Sequence, residues 1–332
     1  MVFWFWVGLA VLLVPPIAIG LFLAALYLYL RWKYLGFLVR IFQERPLFVV
    51  PRGQPTEFAE PVALKSAGGL ELRACYFRTP VAVRKGVILF GLEFGSDRWA
   101  ARHYCDGLLA AGYDVFTYEP RNQGDSDKDA DYEPLQWVTD KDVADMRAAV
   151  KYLLARPDAA PNGLGLFGIS KGGSTALLAA QFEPAVKCVA TDGAYATYTT
   201  MLPYMRRWVA IYSDRMKFQR ALPTWFYGLV GMTGVNQVAR DRGVNYPSVE
   251  KAVGRFRRPL LMIHGEGDTY IKPEMARTLF ERAKGPKDLW VVPKAKHNQA
   301  LHHAGADYHR RVVAFFDRHL AGIEDVTPPA TA

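Results

Sequence analysis

From Pro61 onward, short apolar runs alternate with stretches of helical periodicity. GVILFG, DVFTYE, LGLFG, AVKCVAT, RPLLMIHG and KDLWVVP are six such runs, each bounded by glycine, proline or charged residues. Continuous apolar runs of this length suit strands covered on both faces. Between them, Val143, Met146, Val150, Leu153 and Leu154 recur at helical spacing, as do Met275, Leu279 and Phe280. Ahead of them PVALKS and LELRACYF flank Ala67-Gly68-Gly69, which reads as a hairpin. The pattern predicts an α/β fold with a mainly parallel, eight-stranded sheet and helices on both faces.

Two regions break the rhythm. Met1 to Leu30 carry no charged side chain, which exceeds the ~20 residues needed to cross a bilayer. Pro15-Pro16 is expected to kink this helix rather than end it, since neither half spans alone. A basic start and a small-residue cleavage site, as in a signal peptide, are not evident. Trp4, Trp6, Tyr27, Tyr29 and Trp32 lie toward the two ends, where aromatic belts sit. Arg31, Lys33, Arg40 and Arg45 follow the run, and only the terminal amine precedes it, so a single-pass anchor with a cytoplasmic catalytic domain is predicted.

The second break runs from about Ala196 to Arg257. It has no strand pattern and interleaves Tyr204, Trp208, Tyr212, Trp225, Phe226 and Tyr227 with Arg206, Arg207, Lys217 and Arg220. It reads as a helical cap, and the aromatic and basic mixture suits an anionic membrane surface that would feed it apolar acyl substrates. The predicted organisation is an anchor over 1–30, a connector over 31–58, a core over 59–195 and 258–321, a cap over 196–257 and a disordered tail over 322–332.

Composition narrows the chemistry. The net charge of +9 is spread along the chain without a nucleic-acid motif, so no nucleic-acid partner is expected. Three scattered cysteines suit neither a disulfide framework nor a metal site, and no metal or cofactor is expected.

The chemistry centres on Gly168-Ile169-Ser170-Lys171-Gly172, between the run LGLFG and the helical STALLAA. A serine between glycines there is either a tight turn or a nucleophile exposed at a helix N-terminus. A serine hydroxyl needs a base, and the base needs an orienting acid. Of seven histidines, only His297 falls in a loop beyond a strand, in AKHNQAL. HGEGDTYIKP offers Glu266 and Asp268 in a glycine-flanked loop, with Asp268 preferred; Asp192 in TDGAY stays open as a second candidate. Ser170, Asp268 and His297 each follow a predicted parallel strand, and ligands gather at that end of such sheets.

These motifs, GISKG, GEGD and AKHN in order, identify residues from about Pro61 to Leu320 as resembling the α/β-hydrolase superfamily. YEPRNQGDSD looks like that superfamily's turn after the fourth strand, with Arg121, Gly124 and Ser126 in structural places. Within the superfamily the chain is similar to membrane-anchored serine hydrolases with a short cap, whose histidine is also followed by asparagine. The resemblance implies nucleophilic attack by Ser170, proton transfer by His297 and orientation by Asp268, with the backbone N–H groups of Lys171 and Glu93 as the oxyanion hole. It implies an ester or thioester substrate, possessing a small-molecule or lipid-like acyl group. A peptidase on the same fold is disfavoured by the lack of a gating domain in the sequence, and an inactive binding module remains as a non-enzymatic alternative.

One position departs from the pattern. Where the superfamily has His-Gly and then the oxyanion donor, GVILFGLEFG puts Gly91, Leu92 and then Glu93. A carboxylate beside a developing oxyanion would offset its stabilisation. The convergence of the Glu93 and Lys171 loops therefore predicts an ion pair between the two side chains.

Overall fold

A computed structural model describes residues 1–44, 50–160, 163–212 and 223–323. The hairpin forms as its glycines require: β1 (Ala59–Lys65) and β2 (Glu71–Phe77) are joined through Gly68 and Gly69, at φ of 86° and 83°. The apolar runs form β3 (Gly86–Gly91), β4 (Tyr113–Tyr118), β5 (Leu164–Ile169), β6 (Val186–Asp192), β7 (Leu260–Gly265) and β8 (Lys287–Val292). Together they make an eight-stranded sheet in the order β1-β2-β4-β3-β5-β6-β7-β8. β2 pairs antiparallel with β1 and β4, and every other pairing is parallel.

The runs lack alternation because both faces are covered. Along β3, Val87 and Leu89 enter one core while Ile88 and Phe90 enter the other. The first core is closed by α3 (Asp140–Ala155), α4 (Lys171–Ala180), α7 (Val249–Arg255) and α8 (Pro273–Arg282), through Met146, Leu177, Val253 and Leu279. The second is closed by α2 (Ala101–Ala110), α9 (Ala300–Ala304) and α10 (Ala306–Phe316), through Leu108, Leu301 and Phe316. The fold is that of the α/β hydrolases. Thr139 and Asp142 cap α3 reciprocally, fixing where that helix starts.

The turn after β4 is structural, as its residues suggested. Arg121 grips Asp145 of α3 through Nη2 at 2.6 Å. Ser126 donates to the Glu119 carbonyl at 2.6 Å. Gly124 is at φ 53°, and a Cβ there would fall 2.2 Å from the Glu119 carboxylate, so only glycine fits.

The described chain divides into two compact units, one holding residues 1–44 and 201–241 and the other the sheet with the remainder. The first unit is helical. α1 (Val2–Gln43) runs unbroken through Pro15 and Pro16 and past Leu30, where the anchor was expected to end. Arg31 and Lys33 mark a change of polarity without interrupting helical propensity, so the charge boundary and the helix end do not coincide. α1 is long and apolar enough to cross a membrane. In the same unit lies α6 (Thr224–Asp241), whose Thr233 hydroxyl meets Tyr27 at 2.7 Å and whose Gly234 would, as alanine, press Leu38 at 3.3 Å. Among the described residues, the stretch 196–257, read as a cap, forms α5 (Tyr198–Tyr212), α6 and α7. α7 groups with the sheet unit, because Val249, Ala252 and Val253 fill its core. Lys217, Arg220 and the tail from 324 onward lie outside the described residues.

Candidate active site

The site lies where the chain reverses its direction of travel across the sheet. β3 lies between β4 and β5, so the crossovers leave it on opposite sides and open a crevice beyond the strand ends. Glu93 follows β3 and Ser170 follows β5. Ser170 is at φ 50° and ψ −115°, the strained turn that lifts a side chain out of the strand-to-helix corner. Glycine makes the corner possible: a Cβ on Gly172 would fall 2.2 Å from the Gly91 carbonyl oxygen, and one on Gly168 would fall 2.5 Å from the Gly172 carbonyl carbon. The loop after β3 therefore presses directly on the start of α4. Among the described residues, the Glu93 N–H meets no backbone acceptor outside the regular elements, and Lys171 opens α4, where the first N–H groups have no intrahelical partner.

His297 comes in from the loop after β8. That loop can cross β7 because Gly265 has no side chain; a Cβ there would fall 2.3 Å from the Ala295 carbonyl oxygen. His297 Nε2 lies 3.0 Å from Ser170 Oγ, and Nδ1 lies 2.6 Å from Asp268 Oδ2. With Nδ1–H donating to the carboxylate, Nε2 is left to accept the serine proton. Asp268 Oδ1 accepts from the N–H groups of Tyr270 and Ile271 at 2.9 and 2.8 Å, which fixes its plane. Tyr270 also sets its ring edge to face His297 at 5.4 Å.

The other acidic candidates point elsewhere. Glu266 accepts from the Lys294 N–H at 3.2 Å. Asp192 closes β6 and is 1% exposed, with Oδ2 accepting from the Tyr308 hydroxyl at 3.0 Å. Burial pushes its carboxyl up to about 7, against the Tyr308 hydrogen bond. His264 is likewise buried, which lowers its pKa, and its Nε2 faces the Ile271 carbonyl at 2.7 Å.

The expected Glu93–Lys171 ion pair is absent. Lys171 Nζ instead pairs with Asp142 at 2.9 Å and donates to the Leu135 carbonyl at 2.8 Å. Glu93 Oε2 accepts from Asn298 Nδ2 at 2.6 Å, and Oε1 from the Tyr104 hydroxyl at 3.0 Å. The loops do converge, but each side chain is held by other partners. Burial raises the Glu93 pKa, opposed by those two hydrogen bonds. Nothing in the pattern of residues marked Asp142 or Tyr104. Asn298 was visible only as the residue after the histidine.

A cavity of about 20 Å³ opens at Ser170, walled by Phe94, Gln136, Tyr195, Tyr270 and Asn298. Among the described residues, no cluster of three His, Cys, Asp or Glu side chains is placed to hold a metal ion.

Residues 107–322 match the profile of the prolyl oligopeptidase family. The chain is similar to the uncharacterized protein YqkD of Bacillus subtilis (strain 168), 25% identical over 226 residues, covering 64% of this chain and 65% of that one. It is also similar to the uncharacterized protein YfhR of Escherichia coli (strain K12), 26% identical over 175 residues, covering 52% of this chain and 51% of that one. The chain thus spans between half and two thirds of these curated relatives. Among solved structures, the Pyrococcus furiosus esterase Pf2001 superposes with a TM-score of 0.60 at 22% identity, over 83% of this chain and 100% of that one. That likeness shows the fold.

Proposed function

The chain belongs to the prolyl oligopeptidase family, and from that premise we propose that it is a serine hydrolase that cleaves a carboxylic ester or thioester through Ser170, His297 and Asp268. The observation that carries this reading is the line of hydrogen bonds Ser170 Oγ, His297 Nε2, His297 Nδ1, Asp268 Oδ2, at 3.0 and 2.6 Å. Ser170 Oγ attacks the carbonyl carbon as its proton passes to His297 Nε2. The imidazolium is stabilised by Asp268 and returns the proton to the leaving group, giving an acyl-enzyme. Water, deprotonated by the same imidazole, then releases the acid. The negative charge on the tetrahedral oxygen is met by the N–H groups of Lys171 and Glu93. Since the Glu93 carboxylate is held by Tyr104 and Asn298, its charge is turned away from that role.

The cavity favours a short acyl group over the lipid-like chain that the anchor suggests. About 20 Å³ is little more than a water molecule needs. Amide hydrolysis is the second reading, and the family's name is what favours it. The apolar α1 supports a single-pass anchor, and the basic Arg31, Lys33 and Arg40 after the apolar run favour a cytoplasmic hydrolase.

Turnover of matched substrates tests the activity: a nitrophenyl ester series from acetyl to decanoyl, an acyl thioester and a prolyl or alanyl nitroanilide. Short esters and thioesters should be cleaved with kcat/KM at least about 100-fold above the anilides. A preference for the anilides would replace esterase with peptidase. A preference for decanoyl over acetyl would remove the short-acyl reading.

A further inference from the structure

We propose that the Glu93 side chain is a positioning residue: its carboxylate clasps Asn298 to the loop after β3, and so holds His297 in line with Ser170. This rests on the triad reading above. The neighbouring residue of the base is thereby tied to the loop that carries an oxyanion donor.

The geometry of the clasp is specific. Glu93 is 5% exposed, and each of its carboxylate oxygens meets one donor. Asn298 Nδ2 donates at 2.6 Å from the loop after β8, and the Tyr104 hydroxyl donates at 3.0 Å from α2. Hydrogen bonds to an ionised acceptor are shorter and stronger than neutral ones. Tyr104 is itself fixed, stacked on Phe90 of β3 with ring centroids 5.6 Å apart. Glu93 is therefore anchored on the side away from the base, and its free oxygen is left for Asn298.

Asn298 needs holding. It stands at φ 57°, a left-handed conformation that Asn tolerates better than most non-glycine residues, and one that its surroundings must still select. The opposite wall is Gly193 at φ 65°, where a Cβ would fall 2.6 Å from Asn298 Oδ1 and 3.3 Å from His297 Cε1. The pair His297-Asn298 is thus seated between Gly193 and Glu93. Remove the carboxylate, and the loop after β8 loses its tie to the loop after β3, while Asp268 and the Tyr270 ring still contact the imidazole.

The variants follow from donor and acceptor logic, assayed on the full chain with a short ester and with a fluorophosphonate. Glu93→Ala should lower kcat by about 100-fold, the scale of a misplaced catalytic group, with KM altered by less than about 3-fold. Glu93→Gln should retain at least about ten times the activity of Glu93→Ala, since its carbonyl can accept from Asn298 and its amide can face the Tyr104 oxygen. Asn298→Asp sets two carboxylates against each other and should lose about as much as Glu93→Ala. Adding Glu93→Gln to it restores one donor facing one acceptor, and the double variant should regain at least about 10-fold over Asn298→Asp alone. A melting curve accompanies each variant, and if Glu93→Ala does not fold, the comparison of Asn298→Asp with the double variant decides. A folded Glu93→Ala with wild-type kcat, or a double variant no better than Asn298→Asp, would overturn the clasp while leaving Ser170 labelled. No labelling in wild type would instead remove the triad and the clasp with it.

Discussion

The sheet unit and the helical unit use the same residue types in opposite ways. In the sheet unit Phe90, Phe167 and Phe316 are at most 1% exposed, gathered on one face of the sheet. In the helical unit Trp4, Phe22 and Trp225 are 73%, 64% and 59% exposed. The sheet unit also hides charged groups such as Asp142, Asp145 and Lys171, each with a partner of opposite charge. α1 carries none before Arg31. Apolar surface left open over such a length marks a site for contact with a membrane or with other protein. The difference teaches that the two units treat apolar surface differently: the sheet unit buries it, while α1 is long and apolar enough to cross a membrane.

The largest test of that contrast pairs two identical substitutions. Phe167→Ala should cost the sheet unit about 3–5 kcal/mol in thermal or denaturant unfolding, since it empties a site between Phe90 and Phe316. Phe22→Ala should move the same transition by less than about 0.5 kcal/mol, yet weaken retention in vesicles. Equal costs at both positions would mean that α1 is packed within protein after all.

A smaller effect sharpens the view of the buried charges. Asp192 has its folded pKa raised to about 7 by burial, against an unfolded value near 3.9. The native state therefore holds its proton more tightly, and stability falls as pH rises from about 4 to about 7. Asp192→Asn removes that slope, so the variant should gain on wild type across this window by up to a few kcal/mol, then level off. Glu93, also raised by burial, leaves a residual slope of the same sign. Unfolding free energies at pH 4.5 and 7.5 measure it. A variant that loses ground as pH rises would show that Asp192 is ionised throughout.

Much of this was legible in the chain, for physical reasons. GVILFG declares itself because a strand covered on both faces has no polar position to interrupt it, and RPLLMIHG does so with His264 alone near its end. Gly168, Ser170 and Gly172 are visible because a strained corner pressed against another loop leaves glycine little competition. The acid was less so: Asp192 and Asp268 both follow apolar strands, and only the path of the backbone turns one toward Tyr308 and the other toward His297. The partner of Lys171 was misread. Asp142 is far away in sequence, and it is the position of α3 that brings it to Nζ ahead of Glu93. The charge pattern marked the end of the apolar run at Leu30, and it could not mark the end of the helix, which continues to Gln43.

The central claim is that Ser170 is a nucleophile activated by His297. Labelling of the full chain with a fluorophosphonate, followed by intact mass and peptide mapping, tests it most directly. Wild type should gain one adduct, located on Ser170, with Ser170→Ala unlabelled and His297→Ala slowed by at least about 100-fold. A folded wild type that takes up no adduct, or an adduct that persists in Ser170→Ala, would contradict the account and leave the fold as a binding module.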